Sequence, residues 1–198
     1  MESSRVKPGL NGVEGKEEAR QVAGRSLRLV GAVLRALALA LTLVAAVVMG
    51  LDRQTTTIPF QLVPTLPPLH IAVTAKWSHS SAFIYFVVAN VIVCIYSAFS
   101  LVASLLTGAS KKTLSLAMPI AIGDLIMVAL LFSSVGAAMD FGLLGLRGNS
   151  HLRWNKVCGV YGKFCEKVQV AIALSMLGSC VFLVLVILSI ISLHKRSK

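Results

Sequence analysis

Four runs of apolar residues, each long enough to cross a bilayer, decide what this chain can fold into. They cover Leu27–Gly50, Ser81–Leu106, Leu116–Met139 and Gln169–Leu193. A helix needs about 20 such residues to span the hydrocarbon layer. In that layer backbone groups must be satisfied within the chain, so runs of this length become helices. Well inside the runs sit one basic residue, Arg35, and one acidic residue, Asp124. A charge at mid-bilayer costs at least ~2.5–3.5 kcal/mol on insertion scales, so each needs a partner. They are of opposite sign.

Little remains for anything else. Of 198 residues, 56% are hydrophobic and only 14% charged, with a mean hydropathy of +0.82. The segments left over are a tail (1–26), an outer loop (51–80), a hinge (107–115), a second outer loop (140–168) and a short end (194–198). None holds a soluble domain of useful size. The expected fold is all-α: an integral-membrane four-helix bundle. The first run follows a polar tail and carries Arg35, which reads as a retained span and not as a cleaved leader. The tail itself reads as disordered, with some helical tendency near Glu17–Arg20.

Lysine and arginine set the orientation. Arg5, Lys7, Lys16, Arg20, Arg25 and Arg28 precede or open the first run, Lys111 and Lys112 fill the hinge, and Lys195, Arg196 and Lys198 end the chain. The two longer loops carry fewer basic residues per unit length. Both termini are therefore expected in the cytoplasm. The net charge of +11 is mostly a signal of this topology, and the basic tails are suited to contact with anionic membrane lipid. With no compact basic module, a nucleic-acid partner is not expected.

Arg35 lies eight residues beyond Leu27 and Asp124 nine beyond Ser115. At 1.5 Å per residue they sit ~12 and ~14 Å along helices that run the same way, depths that agree to within a turn. A pair at matched depth has three uses: a lock between two spans of one bundle, a link between subunits, or a proton or ion carrier. Arginine suits the first two, because its fork offers a carboxylate two parallel hydrogen bonds. A relay normally strings several acids or histidines along a path, and none accompanies Asp124. Other residues suggest helix packing. Ala32, Ala36 and Ala40 recur every four residues, and so do Ser175 and Ser179, spacings that let helices approach. Asn90, with Cys94, Ser97 and Ser104, gives the second span a polar face.

Chemistry in the loops is sparse. Pro59, Pro64, Pro67 and Pro68 keep the first loop extended or turning, and Ile71–Ala75 reads as a short strand. The histidines are isolated, so no metal site or cofactor is expected. No nucleophile–base constellation points to an enzyme. In the second loop Cys158 and Cys165 lie where a disulfide persists; the alternatives are free thiols or pairing between chains. Trp154, Tyr161 and Phe164 read as interfacial anchors or as a contact surface outside the cell.

Taken together, Arg35, Asp124, the run Trp154-Asn155-Lys156-Val157-Cys158 with Phe164-Cys165, and the stretch from Lys76-Trp77-Ser78-His79 to Phe83 carry a resemblance. The chain resembles the plant Casparian strip membrane domain-like (CASP-like) family, subfamily 1, from about Leu27 to its end. That resemblance implies a MARVEL-like four-helix plan and a plasma-membrane location. It further implies homo- and hetero-oligomers with related CASP-like proteins, and a scaffold that organises cell-wall modification, with cell-wall enzymes as further partners. The competing expectation is a small channel or transporter using Asp124.

Overall fold

The computed structural model describes residues 10–60, 69–106, 112–151 and 156–197. Its elements are α1 (Leu10–Gly50), β1 (Arg53–Phe60), β2 (Leu69–Lys76), a 3₁₀ turn at Trp77–His79, α2 (Ser81–Leu106), α3 (Lys112–Arg147) and α4 (Gly162–Ser197). All four helices are long and apolar enough to cross a membrane. The protein is an all-α, multi-pass membrane protein with one added β-hairpin.

The helices pack as a square. Close backbone approaches join α1 to α2 and α4, and α3 to α2 and α4. Thus α1 faces α3 across one diagonal, and α2 faces α4 across the other. Each inward face repeats every three or four residues. In α1 it is Arg35, Ala38, Thr42, Ala45 and Met49; in α3 it is Asp124, Val128, Leu131, Val135 and Ala138. This near-3.5 period is the knobs-into-holes seam of antiparallel bundles. Large apolar residues cover the outside, among them Leu37, Phe99, Leu125 and Ile190.

Three elements differ from their sequence expectations. α1 starts at Leu10, well inside the segment expected to be disordered. Residues 14–20 are rich in strong helix formers, and a helix already nucleated by the span extends into them readily. α3 and α4 also overrun the apolar runs. α3 continues to Arg147 and α4 begins at Gly162, so the loop between them is 148–161 and not 140–168. Asp140, Lys163 and Lys167 end the apolar runs without breaking the helices, because lysine is a good helix former and a single aspartate costs a long helix under ~1 kcal/mol. Gly148, at φ 68°, closes α3 with its N–H on Leu144 O at 2.9 Å, the usual left-handed stop. Pro119 lies inside α3, beyond its first turn.

The expected strand at Ile71–Ala75 falls in β2. Its partner β1 pairs antiparallel, from Arg53 opposite Lys76 to Phe60 opposite Leu69. Thr55 and Thr74 sit opposite each other and share a hydroxyl contact of 3.0 Å, a favourable cross-strand pair.

Candidate functional site

The structure brings Arg35 and Asp124 together. Arg35 Nη2 donates to Asp124 Oδ2 at 2.6 Å and Nη1 to Oδ1 at 2.9 Å. The carboxylate is fully buried and the guanidinium nearly so. Neighbouring helices in such bundles stand about 8–10 Å apart, so a diagonal is roughly 11–14 Å. The bridge therefore crosses the centre between two helices that are not immediate neighbours. A long, rigid-headed side chain on one of them closes that gap.

Residues of α2 complete the site. Arg35 Nη1 also donates to Ser100 Oγ at 2.8 Å; that hydroxyl donates to Ser97 O at 3.1 Å, and Ser97 Oγ donates to Arg35 O at 3.0 Å. On the other side Tyr96 Oη lies 2.9 Å from Asp124 Oδ1 and 3.0 Å from Ile120 O. Its single proton serves these two acceptors. The tyrosine fits because residue 123 is glycine. A Cβ there would lie 2.5 Å from Tyr96 Oη and 2.9 Å from Cζ. Both oxygens of Asp124 are thus occupied by charge-assisted bonds. Of these α2 and α3 partners, the sequence reading placed only Ser97 on a polar face. Tyr96, Ser100 and Gly123 were missed: an aromatic, a serine and a glycine in a membrane helix carry no individual signal. The three-residue step from Ser97 to Ser100, on the face already holding Asn90, is the one clue that was available.

A second polar tie crosses the other diagonal. Ser175 Oγ donates to Asn90 Oδ1 at 3.0 Å, and Asn90 Nδ2 donates to Phe86 O at 2.9 Å. Ser179 Oγ turns back to Ser175 O. Asn90 lies seven to ten residues from Ser97 and Ser100, so the two polar layers are ~10–15 Å apart along the bundle. Nearby, Gly178 lets α1 approach α4: a Cβ there would meet Thr42 Cγ2 at 3.3 Å.

The alanine triplet does not pack inside the bundle. Ala36 and Ala40 are exposed and Ala32 is half-buried. With Arg35 inward, a helix turning ~100° per residue carries Ala36 and Ala40 ~100–140° away from the core. Ala38, Ala45 and Ala46 are the small residues that face inward.

Cys158 and Cys165 form a disulfide with Cα atoms 5.7 Å apart. Tyr161 and Phe164, expected on a contact surface, are buried instead. α4 starts early, which turns Phe164 onto the same inward face as Val168 and Ala171; its ring lies 6.2 Å from that of Phe83. Tyr161 Oη donates to Val73 O at 3.1 Å, and the Phe164 N–H donates to Gln54 Oε1 at 2.9 Å. These bonds clamp the hairpin to the head of α4. Trp154 lies outside the described residues.

At the same end Asp52 is buried, with only 1% of its surface exposed. Its charged neighbour is Lys167, whose Nζ lies 3.3 Å from Oδ1 but is half exposed. Neither carboxylate oxygen accepts a well-formed hydrogen bond. Burial, only partly offset by Lys167, pushes the Asp52 carboxyl above its ordinary value.

The comparisons with known proteins agree with one another. The family model of the Casparian strip membrane protein domain matches residues 24–181. The chain is 52% identical to CASP-like protein 1E2 of Vitis vinifera, covering 96% of this chain and 97% of that one. It is 46% identical to CASP-like protein 1E1 of Arabidopsis thaliana (97% and 98%) and 43% identical to CASP-like protein 1E1 of Sorghum bicolor (100% and 99%). No solved structure matches. With the domain match covering the first three membrane helices and the first part of α4, and relatives aligned over nearly their whole length, the chain belongs to the Casparian strip membrane protein (CASP-like) family.

Proposed function

We propose that this protein is a non-enzymatic four-span scaffold of the plasma membrane. Both termini lie in the cytoplasm, and it associates laterally with copies of itself and with related CASP-like chains. The resulting membrane domains organise local modification of the cell wall, with cell-wall enzymes as further partners. One observation carries the reading: Asp124 is fully buried and both its oxygens are already bonded to Arg35 and Tyr96. A carrier acid must exchange its proton or ion with a path, and this one is held on both oxygens by fixed donors. The outward faces supply what a lateral assembly needs, apolar side chains on all four helices. The relatives' names, CASP-like protein 1E1 and 1E2, state no reaction.

A fluorescent fusion expressed in plant cells tests the proposal by photobleaching. A confined signal that does not recover is expected; free diffusion over the whole membrane would refute it. The rival transport reading is tested in reconstituted vesicles. The scaffold predicts no proton flux above lipid background, whereas a flux abolished by Asp124→Asn would replace the scaffold with a carrier.

A further inference from the structure

A cavity of about 570 Å³ opens at the hairpin end of the bundle, between the start of α2 and the α3–α4 pair. That volume is typical of small-molecule sites. Its floor is apolar: Phe83, Phe164, Val168 and Ile172. Gly142 and Gly145 of α3 line it with no side chain, and a Cβ on either would meet nothing closer than 3.7 Å. The cavity follows α4 from Cys165 to Met176, roughly 16 Å. Met139, Leu143 and Met176 on its walls are also exposed on the outside, so it opens toward the surrounding lipid.

One end differs chemically from the rest. Lys76, His79 and Ser80 line the cavity there, and no acidic residue lines it anywhere among the described residues. Ser80 precedes the first turn of α2, where a serine usually caps the helix. Here its hydroxyl is buried and makes no hydrogen bond. An unpartnered buried hydroxyl is unusual and costly. A cavity with an apolar body and, at its mouth, a lysine, a histidine and one unused hydroxyl matches an anionic amphiphile.

We propose that this crevice holds one acyl chain of an anionic glycerophospholipid from the adjoining leaflet. The phosphate lies at Lys76 and His79, and a lipid oxygen accepts from Ser80. The mouth sits at the end of the membrane helices, the level of headgroups and not of hydrocarbon.

The test uses the purified full chain and native mass spectrometry with phosphatidylglycerol and phosphatidylcholine. One phosphatidylglycerol per chain should be retained in preference to phosphatidylcholine. Ala173→Phe, placed on a cavity-lining and lipid-facing position, should lower retention of both lipids at least tenfold. Lys76→Gln with His79→Gln should lower only phosphatidylglycerol, about five- to tenfold, and added salt should mimic that change. Ser80→Ala should lower retention two- to tenfold, the range of one hydrogen bond, while leaving the lipid-free protein at least as stable. Closure of the Cys158–Cys165 disulfide and a monodisperse elution profile report that each variant is folded. Equal retention of the two lipids, or no response to Ala173→Phe, would overturn the proposal. So would loss of self-association in Ala173→Phe with lipid retention unchanged, since the crevice would then belong to another chain.

Discussion

Replacing Asp124 with asparagine tests the central bridge most directly. The variant keeps the shape of the side chain and its contact with Tyr96, but leaves the Arg35 guanidinium buried opposite a neutral group. Breaking a buried pair by neutralising one partner costs about 3–5 kcal/mol, or roughly two to three and a half decades in the unfolding equilibrium. Arg35→Leu should cost a similar amount, because Asp124 is then left charged and fully buried. The double variant Arg35→Leu/Asp124→Leu has a different outcome. Tyr96 retains Ile120 O as an acceptor, and Ser100 retains Ser97 O. Neither hydroxyl is orphaned when both charges go, so the double variant should lie within about 1 kcal/mol of the parent, as apolar replacements of buried pairs commonly do. Asp124→Leu also leaves Arg35 unpaired and should cost about as much as Arg35→Leu, so the coupling energy of the two leucine substitutions would be about 5–11 kcal/mol. Denaturation of the purified protein in bicelles measures the parent, the two leucine singles and the double variant, the four corners of this cycle. Additive losses, with the double variant as weak as the sum of the singles, would refute the claim that the two residues stabilise each other across the diagonal. Exchanging the charges should recover only part of the loss, since Tyr96 and Ser100 are placed for a carboxylate on α3 and a guanidinium on α1.

Smaller perturbations probe the surroundings. Gly123→Ala should cost about 1–3 kcal/mol through overpacking, and Tyr96→Phe in the same chain should recover part of that, because the hydroxyl is the nearest atom to the new methyl; chemical denaturation reads both. Ser175→Ala should cost about 0.6 kcal/mol and not more than ~1.7, the range for hydrogen bonds between membrane helices. Cys158→Ser/Cys165→Ser should lose about 2.5 kcal/mol on the loop-closure estimate, and reductant should destabilise the parent but not the variant. The raised Asp52 carboxyl gives a pH signature of defined sign. Its contribution is present in full below the ordinary aspartate value of about 3.9 and is lost as pH rises through the higher folded value. Asp52→Asn should therefore gain stability relative to the parent as pH rises from 3.5 to 7; a parallel pair of stability curves would refute the assignment.

The helices were legible because length and hydropathy act one run at a time. The two charges were legible because an isolated ion in lipid demands a partner, and only one existed for each. What the sequence hid depends on rotation about the helix axis. Ala32, Ala36 and Ala40 form a regular pattern, yet the inward face is set by Arg35, and a residue one step away is already turned toward lipid. Tyr161 and Phe164 misled for a related reason. As loop residues they read as exposed, but α4 starts before them or beside them and turns them inward. Tyr96 shows a further limit: its role depends on a missing Cβ on another helix, a fact about two positions at once.

The polar partners of Arg35 also have an order in time. Ser100 follows it by 65 residues and Asp124 by 89. At synthesis rates of about 5–20 residues per second, Arg35 waits roughly 3–13 s for the serine and 4–18 s for the aspartate. The second span, which arrives first, offers the guanidinium a neutral acceptor at Ser100. The third then brings the neutralising charge together with the glycine that admits Tyr96. The membrane insertion of α1 is thus a debt of charge carried across the synthesis of two further helices, and α2 is the element that shelters it in the interval.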